Sequence, residues 1–191
     1  MLLSTLLVLA GYLFGSISSA IVVCRLMGLP DPRSQGSGNP GATNVMRLAG
    51  KKPAAMTLAG DLLKGLLPVL LAKFLGADLN TQLLVALAAF LGHLYPIFFG
   101  FKGGKGIATA FGVLIGLNWI VALGVLAVWM LAYKLGKISS VGGLSAAAAM
   151  PPIIHFTTHS RPFLLFGVII AALIYWRHRG NIANLIAGTE K

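Results

Sequence analysis

Five short stretches of this chain gather residue types that bind phosphate or move protons. The first is Asp31-Pro-Arg-Ser-Gln-Gly-Ser-Gly-Asn-Pro-Gly-Ala-Thr-Asn44. Its glycines let successive backbone N–H groups close on an anion, as in a nest. Ser37, Asn39, Thr43 and Asn44 add neutral hydrogen-bonding groups around Gly41. A short helix over Val45 to Leu48 would point its N-terminus at the same anion, with Arg47 as a bidentate clamp. Gly36, Gly38 and Gly41 also match G-x-G-x-x-G, but a dinucleotide site needs a strand before that motif. An apolar run and a proline-containing turn precede it here, so the dinucleotide reading is rejected. An ordinary connector would not carry so dense a set of polar groups.

The second stretch is Lys102-Gly-Gly-Lys-Gly-Ile-Ala-Thr109, just before an apolar run. It lacks the G-x-x-x-x-G-K-[ST] spacing of a nucleotide P-loop. The same ingredients remain in Gly103, Gly104 and Gly106 amides, the Lys105 point charge and the Thr109 hydroxyl. Lys102 also suits a membrane boundary. The third is Asp61-Leu-Leu-Lys64-Gly65, whose charges lie inside an apolar run and share a helix face at i, i+3. Ionisable groups in a membrane are expensive and therefore functional candidates. A structural ion pair is the competing reading.

The fourth stretch is Gly92-His93-Leu-Tyr-Pro96. His93 suits an acid, a base, a phosphate donor or a packed core histidine. No second histidine or carboxylate stands at metal-ligand spacing from it, so no metal is expected. The fifth is Arg177-His178-Arg-Gly-Asn181-Ile182, with His178 and Asn181 at i, i+3. Ser140, in the Ser139-Ser140 pair, is a weaker candidate because serine also caps helices. Cys24 reads as buried filler, and one cysteine excludes an intramolecular disulfide.

The elements that position these groups are apolar runs. The chain is 57% apolar and 10% charged, where soluble domains carry about a quarter charged residues. Its mean hydropathy of +0.87 is a membrane signal. The runs are Leu3–Cys24, Ala54–Ala72, Leu83–Phe99, Ile107–Leu117, Trp119–Tyr133, Val141–Ile154 and Phe163–Trp176. The stretch Ile107–Tyr133 reads as one long helix or as two broken at Gly116-Leu117-Asn118. Two helices give seven spans and leave only Lys73 and Arg161 outside, with Lys64 within a span. One helix would scatter the basic residues over both faces, against the positive-inside rule.

The expectation is an all-α bundle of seven transmembrane helices filling the whole chain as one domain. The N-terminus would lie outside and the C-terminus in the cytoplasm, with the chemistry-bearing stretches on the cytoplasmic face. A net charge of +11 fits anionic lipid and an anionic substrate. Nucleic-acid binding would need a solvated basic surface that this composition does not offer.

Taken together, DPRSQGSGNPGATN (31–44), DLLKG (61–65), GHLYPIFFGFKGGKGIAT (92–109) and RHRGNI (177–182) resemble the acyl-phosphate:glycerol-3-phosphate acyltransferases of bacterial inner membranes. The resemblance runs along almost the whole chain. It departs at Asn184, where family members usually have arginine. It implies acyl phosphate as donor, glycerol 3-phosphate as acceptor, lysophosphatidic acid as product, and no cofactor. It also implies that Ser37, Arg47, Lys105, His178 and Asn181 surround the acceptor. The amides near Gly41, Gly103 and Gly104, with Asn39, Thr43 and Asn44, would hold the donor phosphate. Substrate contacts are further expected from Asp61, Lys64, His93, Gly106, Thr109 and Ser140.

A triad needs an ordered carboxylate, histidine and nucleophile, and acidic residues are scarce here. No histidine has an aspartate five residues on, so the H-x-x-x-x-D acyltransferase pattern is absent. The donor's own phosphate is therefore expected to take the proton from the acceptor hydroxyl. A transporter of a phosphorylated solute is the alternative, but transporters place such a site near the midplane.

Overall fold

The structure, a computed structural model, describes residues 1–190, and these form helices and no strand. It divides into two compact units, Met1–Leu117 and Asn118–Lys191.

The first unit holds α1 (Leu2–Gly15), α2 (Ser19–Leu26), α3 (Ala42–Ala49), α4 (Lys51–Phe74), α5 (Leu79–Leu94) and α6 (Ile107–Leu117). A 3-10 turn, Ile97–Phe99, follows α5. The run Leu3–Cys24, expected as one span, forms two helices bent by 46°. Hydropathy is blind to the cause. Ser16 Oγ donates back to Tyr12 O at 2.8 Å, a local bond that competes with helix continuation. Ser18 is extended and starts a new helix. In the bend, Ile17 O accepts a hydrogen bond from Lys64 Nζ at 2.9 Å.

Helices α4 and α6 approach through glycine. A Cβ on Gly112 would meet the backbone of Leu62 and Leu66. Gly65 faces the Thr109 carbonyl in the same way. Small residues let apolar helices come this close where no water drives them together. The contact holds the start of α6 against α4, and Thr109 Oγ1 donates to Asp61 O at 2.9 Å. Helix α5 is capped by Asp78, which accepts from Thr81 N. It buries Val85, Ala86, Ala89 and Phe90.

The second unit holds α7 (Trp119–Gly136), α8 (Ser139–Thr158), α9 (Arg161–Arg177) and α10 (Arg179–Ile186). The expected break before Trp119 is present. Asn118 Oδ1 accepts from Ile120 N at 3.0 Å and Val121 N at 3.2 Å, which is the N-cap geometry that favours asparagine. Helices α9 and α10 meet at 60°.

By length and composition, α4, α5 with its 3-10 turn, and α7 are able to cross a bilayer. Counting α1 with α2 and α9 with α10 as bent spans raises this to five. Helix α6 has 11 residues. At 1.5 Å per residue it rises about 16 Å, roughly half the hydrocarbon thickness.

Candidate active site

In the first unit, Asn44 organises the Asp31–Asn44 loop. Its Oδ1 accepts from Ser37 N at 3.0 Å, while Nδ2 donates to Pro32 O at 2.9 Å and Gln35 O at 3.1 Å. The side chain is 2% exposed, and all three bonds go to the loop's own backbone. Gly36 and Gly38 take positive φ, which lets the loop curl tightly around that amide. Ser37 and Thr43 are left exposed, and Asn39 and Gly41 half-buried. Helix α3 starts at Ala42, with Gly41 as N-cap, three residues before the expected Val45. Arg47 therefore leaves from its last turn, exposed, rather than from its start.

A second tie was not foreseen from the sequence. Arg33 Nη2 meets Asp31 Oδ2 at 2.7 Å and Nε meets Oδ1 at 3.1 Å. Its Nη1 donates to Phe99 O at 3.0 Å. The guanidinium thus fastens the first loop to the segment leading into Gly-Gly-Lys-Gly. Its hydrogen bond holds the Asp31 carboxyl below the usual range, and Asp31 raises Arg33 in return.

The Lys102–Gly106 loop folds back on the end of α5. Gly104 N donates to His93 O at 3.3 Å, and Phe101 N to Pro96 O at 2.9 Å. Gly103, Gly104 and Gly106 are buried and Lys105 is half-buried. Below the loop lie Asp61 (3% exposed), Lys64 (4%) and His93 (5%). Asp61 Oδ1 stands 2.8 Å from Lys64 Nζ and 3.6 Å from His93 Nδ1. Lys64 thus divides its donors between Asp61 and Ile17 O, as a structural ion pair does.

In the second unit, His178 is buried at the α9–α10 bend. Its Nδ1 lies 2.8 Å from Ile174 O, a carbonyl that can only accept, so this nitrogen donates. Glu190, unassigned from the sequence, gathers the polar groups around it. Its carboxylate accepts from Ser140 Oγ at 2.7 Å, Asn181 Nδ2 at 2.5 Å and Asn184 Nδ2 at 3.2 Å. The only hint in the sequence was scarcity, since Glu190 is one of four acidic residues.

The fold and these loops define a class: a helical membrane protein whose glycine amides, hydroxyls and few cations suit phosphate chemistry at the heads of apolar helices. The family model described as glycerol-3-phosphate acyltransferase matches residues 5–188. A glycerol-3-phosphate acyltransferase of Thioalkalivibrio sulfidiphilus (strain HL-EbGR7) is 56% identical over 190 residues, covering 100% of this chain and 94% of that one. That of Hydrogenovibrio crunogenus (strain DSM 25203 / XCL-2) is 51% identical, covering 94% and 86%. The crystal structure of PlsY (YgiH), an integral membrane glycerol 3-phosphate acyltransferase, in its glycerol 3-phosphate form has a TM-score of 0.93 at 40% identity. It covers 98% of this chain and 94% of that one. The lysophosphatidic acid form has a TM-score of 0.91 at 39% identity. This chain belongs to the glycerol-3-phosphate acyltransferase family.

Proposed function

We propose that this chain transfers an acyl group from acyl phosphate to the 1-hydroxyl of glycerol 3-phosphate, releasing lysophosphatidic acid and inorganic phosphate. The observation that carries this reading is the pair of glycine-rich loops in the first unit, tied together by Arg33. Both substrates carry phosphate, and two preorganised loops suit two anionic heads. The crystallised relatives hold glycerol 3-phosphate and lysophosphatidic acid, in accord with this acceptor and product.

Ser37, Arg47, Lys105, His178 and Asn181 are the residues that the family resemblance assigns to the acceptor. The donor phosphate is assigned to the amides at Gly41, Gly103 and Gly104, with Asn39, Thr43 and Asn44. Asn44 serves by holding its loop in shape. Asp61, Lys64, His93, Gly106, Thr109 and Ser140 contribute to substrate binding. Holding both substrates in attack geometry supplies roughly 7–11 kcal/mol of barrier reduction. Lysine and amide dipoles stabilise the oxyanion and the departing phosphate. The donor phosphate itself accepts the proton, since an acyl phosphate is already activated.

The reading places the enzyme in a bacterial inner membrane with seven spans, N-terminus outside, C-terminus and active site cytoplasmic. In it, α6 is a short span. The buried Gly103, Gly104 and Gly106 make that reasonable, because irregular backbone is tolerated at membrane depth when protein covers it.

The test gives the purified protein labelled glycerol 3-phosphate with acyl phosphate or acyl coenzyme A. Lysophosphatidate and phosphate should form with acyl phosphate alone. Lys105→Ala and Ser37→Ala should abolish turnover while folding persists. Turnover with acyl coenzyme A but not acyl phosphate would overturn the donor assignment.

A further inference from the structure

We propose that Asp61 and His93 are positioning residues that set the Gly103–Gly106 loop from below, through the imidazole edge against Gly104. The inference rests on the reading that this loop holds a substrate phosphate, and it says how two buried residues affect that binding without touching substrate.

Two contacts from His93 meet the loop at Gly104, and a third holds the ring from behind. A Cβ on Gly104 would collide with His93 Nε2 and lie 2.9 Å from its Cε1. The imidazole therefore forms the seat on which the Gly104 backbone rests. The backbone of the same histidine takes part, since His93 O accepts from Gly104 N at 3.3 Å. On the other side of the ring, Nδ1 lies 3.6 Å from Asp61 Oδ1. Asp61 is itself held on α4 by Lys64, whose nitrogen also bonds Ile17 O.

Asp61 reaches the far end of the loop as well. Its carbonyl accepts from Thr109 Oγ1 at 2.9 Å, in the first turn of α6. One residue thus contacts the histidine that supports the loop's start and the threonine that follows its end. A displacement of the imidazole would tilt Gly104, and with it the amides on either side of Lys105.

This geometry distinguishes His93 from a catalytic base. A base must reach the reacting hydroxyl, directly or through one water. The ring of His93 is 4% exposed, and its two nitrogens face Asp61 and Gly104.

The test is a double-mutant cycle in the full-length protein: His93→Ala, Gly104→Ala and both together, with His93→Gln as the conservative variant. KM for each substrate, kcat and thermal unfolding are measured for all of them. Each alanine should raise KM for a phosphate-bearing substrate about tenfold with kcat nearly kept, and the pair should be no worse than the poorer single, because removing the ring makes room for the methyl. His93→Gln should recover most of the affinity. A rise in acyl phosphate KM puts the donor at the loop and a rise in glycerol 3-phosphate KM puts the acceptor there, and either supports the positioning role. Multiplicative losses in the pair would overturn it. So would loss of kcat at unchanged KM, or a lower unfolding temperature with both constants unchanged. If His93→Ala does not fold, Thr109→Val carries the same expectation, and unchanged KM there refutes it. If the native enzyme uses another donor, the donor assignment fails separately, and the cycle is read on glycerol 3-phosphate.

Discussion

Replacing Asn44 by alanine deletes three hydrogen bonds at once, to Ser37 N, Pro32 O and Gln35 O. Each is worth about 1 kcal/mol net, so the loop loses roughly 3 kcal/mol of local order. Because 1.4 kcal/mol is tenfold in an equilibrium, an opened loop would weaken phosphate binding up to about 100-fold. The cost should fall on KM, since Asn44 is buried and meets the backbone rather than the substrate. The assay is steady-state kinetics with each substrate varied, alongside hydrogen exchange over residues 32–44. Exchange should accelerate there, while α1, α4 and α5 keep their protection. Asn44→Asp keeps the acceptor for Ser37 N but sets a buried carboxylate oxygen against Pro32 O and Gln35 O, and should be no better than alanine. A kcat/KM within threefold of native for Asn44→Ala would refute the reasoning, because the loop would then hold its shape without the amide.

Gly112→Val should drive a side chain into the α4 backbone, costing about 1–3 kcal/mol and lowering the unfolding temperature in detergent by several degrees. Asn118→Ala removes the cap of α7 and should cost about 1 kcal/mol, read by the same melt. Asp31→Asn tests the Arg33 tie. The folded carboxyl is held low, so its contribution is present at neutral pH and is lost as pH falls through the ordinary carboxylate range and below. The pair is about a third exposed, which limits the effect to under about 1 kcal/mol. The native-minus-variant difference in unfolding temperature should therefore be small at pH 7 and vanish in acid. A difference that grew on acidification would contradict this sign.

Much of the fold was legible because charge and apolar length are strong signals. The break before Trp119 followed from placing the basic residues, and Asn118 caps the helix there. The bend after Gly15 was not legible, since Ser16-Ile17-Ser18 carries no charge and its effect comes from a serine bonding back to Tyr12. The glycine loops were recognised from composition, yet Asn44 was read as a ligand. Its role as a staple depends on the loop curling around it, which spacing does not reveal. Asp61 and Lys64 were correctly seen as sharing a helix face, and the structure pairs them. The tie from Arg33 to Phe99 spans 66 residues, and no local pattern announces a bond to a backbone carbonyl. Glu190 lies in none of the five motif stretches, so its grip on Asn181 and Ser140 had no sequence signal beyond its rarity.

The bond from Lys64 to Ile17 O joins residues 47 apart in the chain, and this has a consequence for biosynthesis. At about 5–20 residues per second, several seconds separate the emergence of the two partners from the ribosome. The kink in the first hydrophobic segment is therefore completed only once the next one has arrived beside it. Lys64 in turn enters with Asp61 already three residues ahead, so its ammonium meets a counter-charge and a waiting carbonyl rather than bare lipid.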